Sequence, residues 1–361
     1  MKIIVGLLTS VSLITSSNAG ELTVTGSAKA SYNIISGWNT VGAAAKGIGI
    51  ANEIDFGATG ELDNGMTWKY QVQFDPGSTT TAGGGGIDDS RLEVTIPNIA
   101  TLAMYVSEGG LDTDNAGSQS VYGRPTDIGL SSGMVDGPGI DAFSNIQIHS
   151  PKGLLPLDAV FKAAYAPGQN GSINSKDAAG TVNNLYGDSA EQYQITLTPE
   201  AGLNVGADYY KESAAGSTTN TVVQAFEAGS VFATYDFGAA SFGVSATKRA
   251  PLILSTSATA TTISNNSTAG GNADSVRLYE SEKASVAYNI NDALSVSYEM
   301  EKSSRELITQ AAESDIKAEA VQAAYTMGGM TLALSHGKMG NRNYVKDQDS
   351  TQTLFGVSMA F

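Results

Sequence analysis

The chain is written in period two. Leu22, Val24, Ala28, Ala30 and Tyr32 alternate with Thr23, Thr25, Ser27, Lys29 and Ser31, which places apolar side chains on one face of an extended chain and polar ones on the other. The rhythm returns as Ile50, Ile54, Phe56 and Ala58 against Glu53, Asp55, Thr59 and Glu61. It is cleanest where Met66, Trp68, Tyr70, Val72 and Phe74 alternate with Thr67, Lys69, Gln71 and Gln73, and it runs on to Thr353, Phe355, Val357, Met359 and Phe361. Counting such runs predicts about sixteen strands. Short turn signals near residues 64, 98, 153, 200, 238, 292 and 328 join strands in pairs. The third of these, Pro151-Lys152-Gly153, is read as leading into a strand through Leu157, Ala159, Phe161, Ala163 and Tyr165. Long stretches rich in Gly, Ser, Thr, Asn and Asp join one pair to the next.

Tight turns at one end and long loops at the other are the layout of a closed antiparallel transmembrane β-barrel. A soluble β-sandwich also alternates, but its solvent face is usually charge-rich. Here the polar faces carry mainly Thr, Ser, Gln and Asn with scattered single charges, as suits a crowded aqueous lumen. The apolar faces carry Tyr32, Trp68, Phe74, Tyr165, Tyr209, Tyr235, Tyr288, Tyr298 and Tyr325 near strand ends, which fits aromatic girdles at two interfaces. Hydrocarbon offers no water to unpaired backbone groups, so the sheet must close on itself. At about sixteen strands the interior is too wide for side chains to fill and holds a channel.

Residues 1–19 stand apart from this pattern. A basic Met1-Lys2, an apolar Ile3–Ile14 and the small residues Ser17-Asn18-Ala19 form a secretory signal with cleavage expected after Ala19. That leaves 20–361 as a single β-barrel pore domain with no further run of about 18 apolar residues. The composition excludes several functions. There is no Cys and there are only two His, His149 and His336, which removes thiol chemistry and a His/Cys zinc site. Thirty-six acidic residues against 20 basic ones give a net charge of -16, against nucleic acid as a partner. The tetraglycine at 83–86 is not followed by the Lys-Ser/Thr of a phosphate loop.

One stretch breaks the rhythm. Ser107 to Phe143 shows no sustained period, and so long an aperiodic segment inside a compact domain is usually a functional loop. It falls after the fifth strand, on the side of the long loops. The opening GELTVTGSAKASYNI, the block FGATGELDNGMTWKYQVQF, AFSNIQIHSPKG after the aperiodic stretch and the terminal TLFGVSMAF resemble, in this order, the Gram-negative general porins of the alphaproteobacterial type. The resemblance covers the mature chain. It implies a homotrimer of sixteen-stranded barrels in the cell outer membrane, with short periplasmic turns, long outer loops and the third loop folded into the lumen. It implies passive diffusion of ions and small hydrophilic solutes, and partners in outer-membrane lipid and lipopolysaccharide. The tail ending in Phe361 resembles the signal read by the barrel assembly machinery.

The resemblance also implies that acids on the third loop face bases on the wall. The loop offers Glu108, Asp112, Asp114, Asp127, Asp136 and Asp141, with Arg124 its one base. Lys29, Lys69, Arg91 and Lys162 lie in phase with Thr, Ser and Gln, on the lumenal side of the wall. Facing lipid at mid-membrane, each would cost roughly 2–4 kcal/mol. Opposed charges select permeants by electrostatic barrier, and the acidic excess predicts mild cation preference. Pairing of Lys29, Lys69 and Arg91 with Glu53, Asp55 and Glu93 across strands is the purely structural alternative. No cofactor is expected; Asp112-Asp114, Asp88-Asp89 and Asp347-Asp349 are candidates for Ca²⁺ only. An enzyme would need a nucleophile beside a His base, and neither His has one nearby in sequence. A substrate-specific channel and an adhesin or anchor working through outer loops such as Thr256–Asn272 remain as other readings.

Overall fold

The computed structural model describes residues 20–37, 45–75, 86–130, 134–167, 187–214, 221–255, 263–265, 276–308 and 314–361. The expected signal segment 1–19 and most of Thr256–Asn272 lie outside these residues. The described strands are β1 (Glu21–Gly37), β2 (Ala45–Glu61), β3 (Thr67–Asp75), β4 (Gly86–Ile96), β5 (Ala100–Val106), β6 (Asn145–His149), β7 (Val160–Pro167), β8 (Gly187–Glu200) and β9 (Leu203–Ala214). They continue with β10 (Thr221–Gln224), β11 (Glu227–Phe237), β12 (Ala240–Ala250), β13 (Ile253–Ser255), β14 (Ile263–Asn265), β15 (Val276–Asn289), β16 (Leu294–Leu307), β17 (Ile316–Met327), β18 (Met330–Gly340) and β19 (Ser350–Ala360).

Sixteen of these strands form one closed antiparallel barrel, each pairing with its neighbours in sequence once β10, β13 and β14 are set aside. The seam is β1 against β19, in register from Ser27 with Ala360 to Gly37 with Ser350. Beyond it, Phe361 and Gly26 exchange both backbone hydrogen bonds, at 3.0 and 2.8 Å. Strand number, antiparallel closure and the asymmetry of connections therefore agree with the alternation.

Side-chain parity is that of a membrane barrel. On β16, Tyr298 and Met300 face outward while Ser297, Glu299, Glu301 and Ser303 are buried inside. Large apolar side chains stay exposed all around the outer wall, among them Met104 at 62 % and Val321 at 60 %. In water each would forgo about 1.5–3 kcal/mol of burial; in hydrocarbon nothing is lost. Tight turns close one rim. Gly65 (φ 79°) and Asn98 (φ 61°) supply left-handed backbone there, which Gly and Asn take with least strain.

Two features depart from the sequence reading. The strand expected to run through Leu157 begins instead at Val160, because Leu157 (φ 59°) and Asp158 (φ 51°) are left-handed and break the extended chain. In addition, β10, β13 and β14 form a separate three-stranded sheet on the loop side. Each has four residues or fewer, too few for a period to be read.

Candidate functional site: a loop laid along the lumen

The segment between β5 and β6 enters the barrel and follows its inner wall. An outgoing limb takes one hydrogen-bonded rung from nearly every strand it crosses. Gln194 of β8 donates to the Leu111 carbonyl at 2.9 Å. Asp208 of β9 accepts from the Thr113 amide and hydroxyl, both at 2.8 Å. Ser245 of β12 donates to the Asp114 carbonyl at 2.6 Å, and Ser285 of β15 to that of Gly117 at 2.9 Å. Glu299 of β16 accepts from Ser118 and Ser120, and Gln322 of β17 brackets Tyr122 and Gly123. Gln352 of β19 holds the Ile128 carbonyl.

The limb then turns back. Ile140 donates its amide to Gln192 of β8 at 2.8 Å, and Asn145 gathers the carbonyls of Glu108, Ile140 and Phe143. Apolar contacts fix both ends. Leu111, Ile140 and Phe143 pack on Ala164, Ala166, Ala190, Tyr210, Phe226 and Leu252. Leu130 and Val135 pack on Val276, Tyr279, Ile316, Met339 and Tyr344. In the middle, loop and wall meet backbone to backbone: a Cβ on Gly243 would lie 1.8 Å from the Gly117 carbonyl oxygen.

Between limbs and wall lies a buried ion network. Lys283 of β15, 3 % exposed in its side chain, donates to Asp136 at 3.1 Å, Asp114 at 3.4 Å and Asn115 at 2.7 Å. Arg124, 4 % exposed, reaches Asp136 at 2.9 Å, Asp127 at 2.6 Å and Glu301 of β16 at 3.4 Å. Thr126 adds its amide and hydroxyl to Glu301. Asp136 thus joins the two cations. Burial pushes the Asp136 carboxyl up, but the bonds from Arg124 and Lys283 together outweigh it and hold it down at about 2. Burial dominates at Asp114 and raises it to about 6 despite Lys283.

These placements revise the expected opposition of loop acids and wall bases. Asp114 and Asp136 meet Lys283, not Lys29, Lys69, Arg91 or Lys162, because the returning limb folds over the outgoing one and traps them against the wall. Asp112 and Asp141 crowd against Gly110 and Gly139, where the limbs lie side by side, and burial raises both carboxyls. Arg124 is a buried anchor. Of the four wall bases, Arg91 alone makes an ion pair with a loop acid among the described residues, to Glu108 at 3.2 Å; burial raises the Glu108 carboxyl. Lys29 sits over the Tyr122 ring, 4.1 Å from its centroid, within the field of the exposed Asp127.

The more open arc of lumen lies against β1 to β5, where the loop makes contact through Glu108 with Arg91 and Tyr122 with Lys29 but takes no hydrogen-bonded rung among the described residues. There Arg91 bonds Gln71, Gln71 donates to Asp55 at 2.9 Å, Gln73 to Glu53 at 2.6 Å and Tyr105 to Glu93 at 2.8 Å. Lys69 is registered opposite Glu93, while Lys162 of β7 lies outside this arc, opposite His149 of β6. Lys283, Asp208, Glu299, Glu301 and the four glutamines of the wall were not singled out in the sequence. Their signal was parity alone, since each falls on the inward-facing phase of its strand, as Lys283 does between Ser281 and Ser285.

Among the described residues the candidate Ca²⁺ positions form no ligand cluster. Asp349 accepts from the Asn341 amide, the Asp88 side chain lies outside the described residues, and no group of three carboxylate or imidazole ligands suits an ion among those described.

A model of the Gram-negative porin family matches residues 7–343. The chain belongs to that family. As a Gram-negative porin it is a β-barrel channel of the outer membrane. No match is found among curated proteins. The porin is similar in fold to Salmonella typhi OmpF, solved in complex with daunomycin, at 13 % identity and TM-score 0.66, covering 95 % of this chain and 98 % of that one. It is equally similar to an anion-selective porin from Comamonas acidovorans, at 12 % identity and TM-score 0.66 over 95 % and 100 % of the two chains. A loop-deleted OmpT of Vibrio cholerae matches at 14 % identity and TM-score 0.61, over 95 % and 100 %. At such identities these likenesses speak for the fold.

Proposed function

We propose that this porin is a passive diffusion pore for ions and small hydrophilic solutes, with its narrowest section between the lumenal loop and the β1–β5 wall. The observation that carries this is the course of the loop: its rungs run from β6 round to β19 and, among the described residues, none is on β1 to β5. That arc presents both signs of charge, with Lys29, Lys69 and Arg91 among Glu53, Asp55, Glu93, Glu108 and Asp127. The acids outnumber the bases, which supports a mild preference for cations. The acids buried with Lys283 and Arg124 contribute to the standing field more than to direct contact with permeants.

The porin is read as a homotrimer with no enzymatic role. Among the described residues, the outward side chains of β3 to β7 carry no charge, from Tyr70 and Leu92 to Met104, Ile146 and Tyr165, an arc fit to meet other copies. The two histidines are on opposite faces: His149 bonds Gln147 inside and His336 bonds Thr353 outside. Planar-bilayer recording of purified porin tests the reading. A steady open conductance with a cation-directed reversal potential in a salt gradient is expected, and it rises when Gly110–Gly139 is deleted from an assembled barrel. A silent protein points to an anchor, and an unchanged conductance after deletion places the constriction elsewhere.

A further inference from the structure

The small outer sheet and the base of the lumenal loop share one core. β10, β13 and β14 lie side by side on the loop side of the barrel, with β13 in the middle. Parity gives β10 two faces: Val223 is 49 % exposed, while Val222 packs inward. Around that inward face, Phe226, Leu252 and Ile253 are buried in the same cluster as Leu111, Ile140 and Phe143 of the loop. Ile253 is 0 % exposed.

Polar contacts fix the sheet to wall and loop. Gln224 donates to the carbonyls of Pro251 at 2.7 Å and Arg277 at 3.0 Å, tying β10 to the approach to β13 and the start of β15. The Glu212 amide of β9 donates to the Phe226 carbonyl at 3.0 Å. The Phe226 ring meets Tyr210 edge-on, with centroids 5.6 Å apart. Arg249 of β12 lies over the same ring, 4.9 Å from its centroid, and donates to the Asp136 carbonyl of the returning limb at 3.2 Å. Strands of three or four residues gain little from their own ladder, so the sheet takes its place from what it packs on. The dependence is mutual. Rungs such as Thr113 to Asp208 and Ile140 to Gln192 orient the base of the loop, and the cluster that keeps water from them is completed by the sheet.

We propose that the outer sheet is a clamp on the base of the lumenal loop, with Ile253 and Phe226 as positioning residues, so that the seating of the loop is set in part from the outer loops. The far end of the loop is seated in a separate cluster through Leu130 and Val135. The clamp therefore acts on the base alone.

The test is amide hydrogen exchange of the assembled full-length porin in detergent, read by mass spectrometry. In Ile253→Ser, peptides carrying the amides of Thr113, Ile140 and Phe143 exchange at least about tenfold faster than in wild type, as loss of a fully buried aliphatic side chain allows. The amides of Val121 and Tyr122, bonded to Ser297 and Gln322 further along the limb, keep their rates, as do those of β2 to β5. Val223→Ser, on the exposed face, changes neither set. Ile253→Val retains protection, and Ile253→Ala gives an intermediate rate should Ile253→Ser fail to assemble. Wild-type exchange at the base of the loop in an assembled Ile253→Ser or Ile253→Ala porin overturns the proposal. So does faster exchange spread evenly over Val121, Tyr122 and the strands, and so does failure of both variants to assemble, because Ile253 would then serve the barrel as a whole. Current is a separate readout that rests on the proposed constriction: faster exchange at the base without added single-channel noise leaves the clamp standing and counts against that constriction.

Discussion

Lys283 holds one positive charge among three oxygens drawn from both limbs of the lumenal loop. Removing one partner of a buried ion pair leaves the others uncompensated and typically costs about 3–5 kcal/mol. Lys283→Met is therefore expected to loosen the loop, seen as open-channel current noise and short closures, while Lys283→Arg largely restores a quiet trace. The two carboxylates it binds titrate in opposite senses. Asp114, raised from 3.8 to about 6, contributes fully to docking below its ordinary value, and that contribution is lost as pH rises through about 6. Asp136, lowered to about 2, contributes above 3.8 and loses its contribution as pH falls through about 2. Loop noise should thus be least near pH 4, rising toward neutrality and again in strong acid. Asp114→Asn should flatten the upper limb alone, and noise recorded across that pH range checks the sign.

At the scale of the element, loop and wall are joined by one or two polar side chains from most of the strands the loop crosses and by a contact too close for any side chain at Gly243. Gly243→Val is expected to lift the outgoing limb from β12 and change conductance, while Gly49→Ala, with nothing within 4 Å of its added methyl, leaves it as it was; single-channel amplitudes compare the two. Strands were legible because parity is a local property: Trp68, Tyr70 and Val72 against Lys69 and Gln71 specify a face without reference to anything distant. The loop was legible only as a loss of rhythm. Its path depends on partners more than a hundred residues away, such as Asp114 with Lys283 and Thr126 with Glu301, and no spacing records those. Hence Asp114 and Asp136, read as pore-facing in the sequence, are held against the wall by Lys283, while Glu108 and Asp127 stay on the open side, and the short β10, β13 and β14 read as loop.

At the scale of the molecule, the loop divides the barrel into a filled side and an open one, and the proposed pore places selectivity on the open side. Lys69→Glu should shift the reversal potential toward stronger cation preference in an assembled barrel. Lys29→Glu should do so too, and should also disturb the tip of the loop through Tyr122. An unchanged reversal potential in both would move the filter off this arc. The loop's far end has a consequence for assembly. Its last rungs are on β17 and β19, and Tyr122 lies over Gly356 and beside Lys29, on the two strands that form the seam. Those final contacts have no partners until the ends of the chain have met. The tip is thus a latch that engages only in a finished barrel, and a fluorophore near Tyr122 would time the moment of closure.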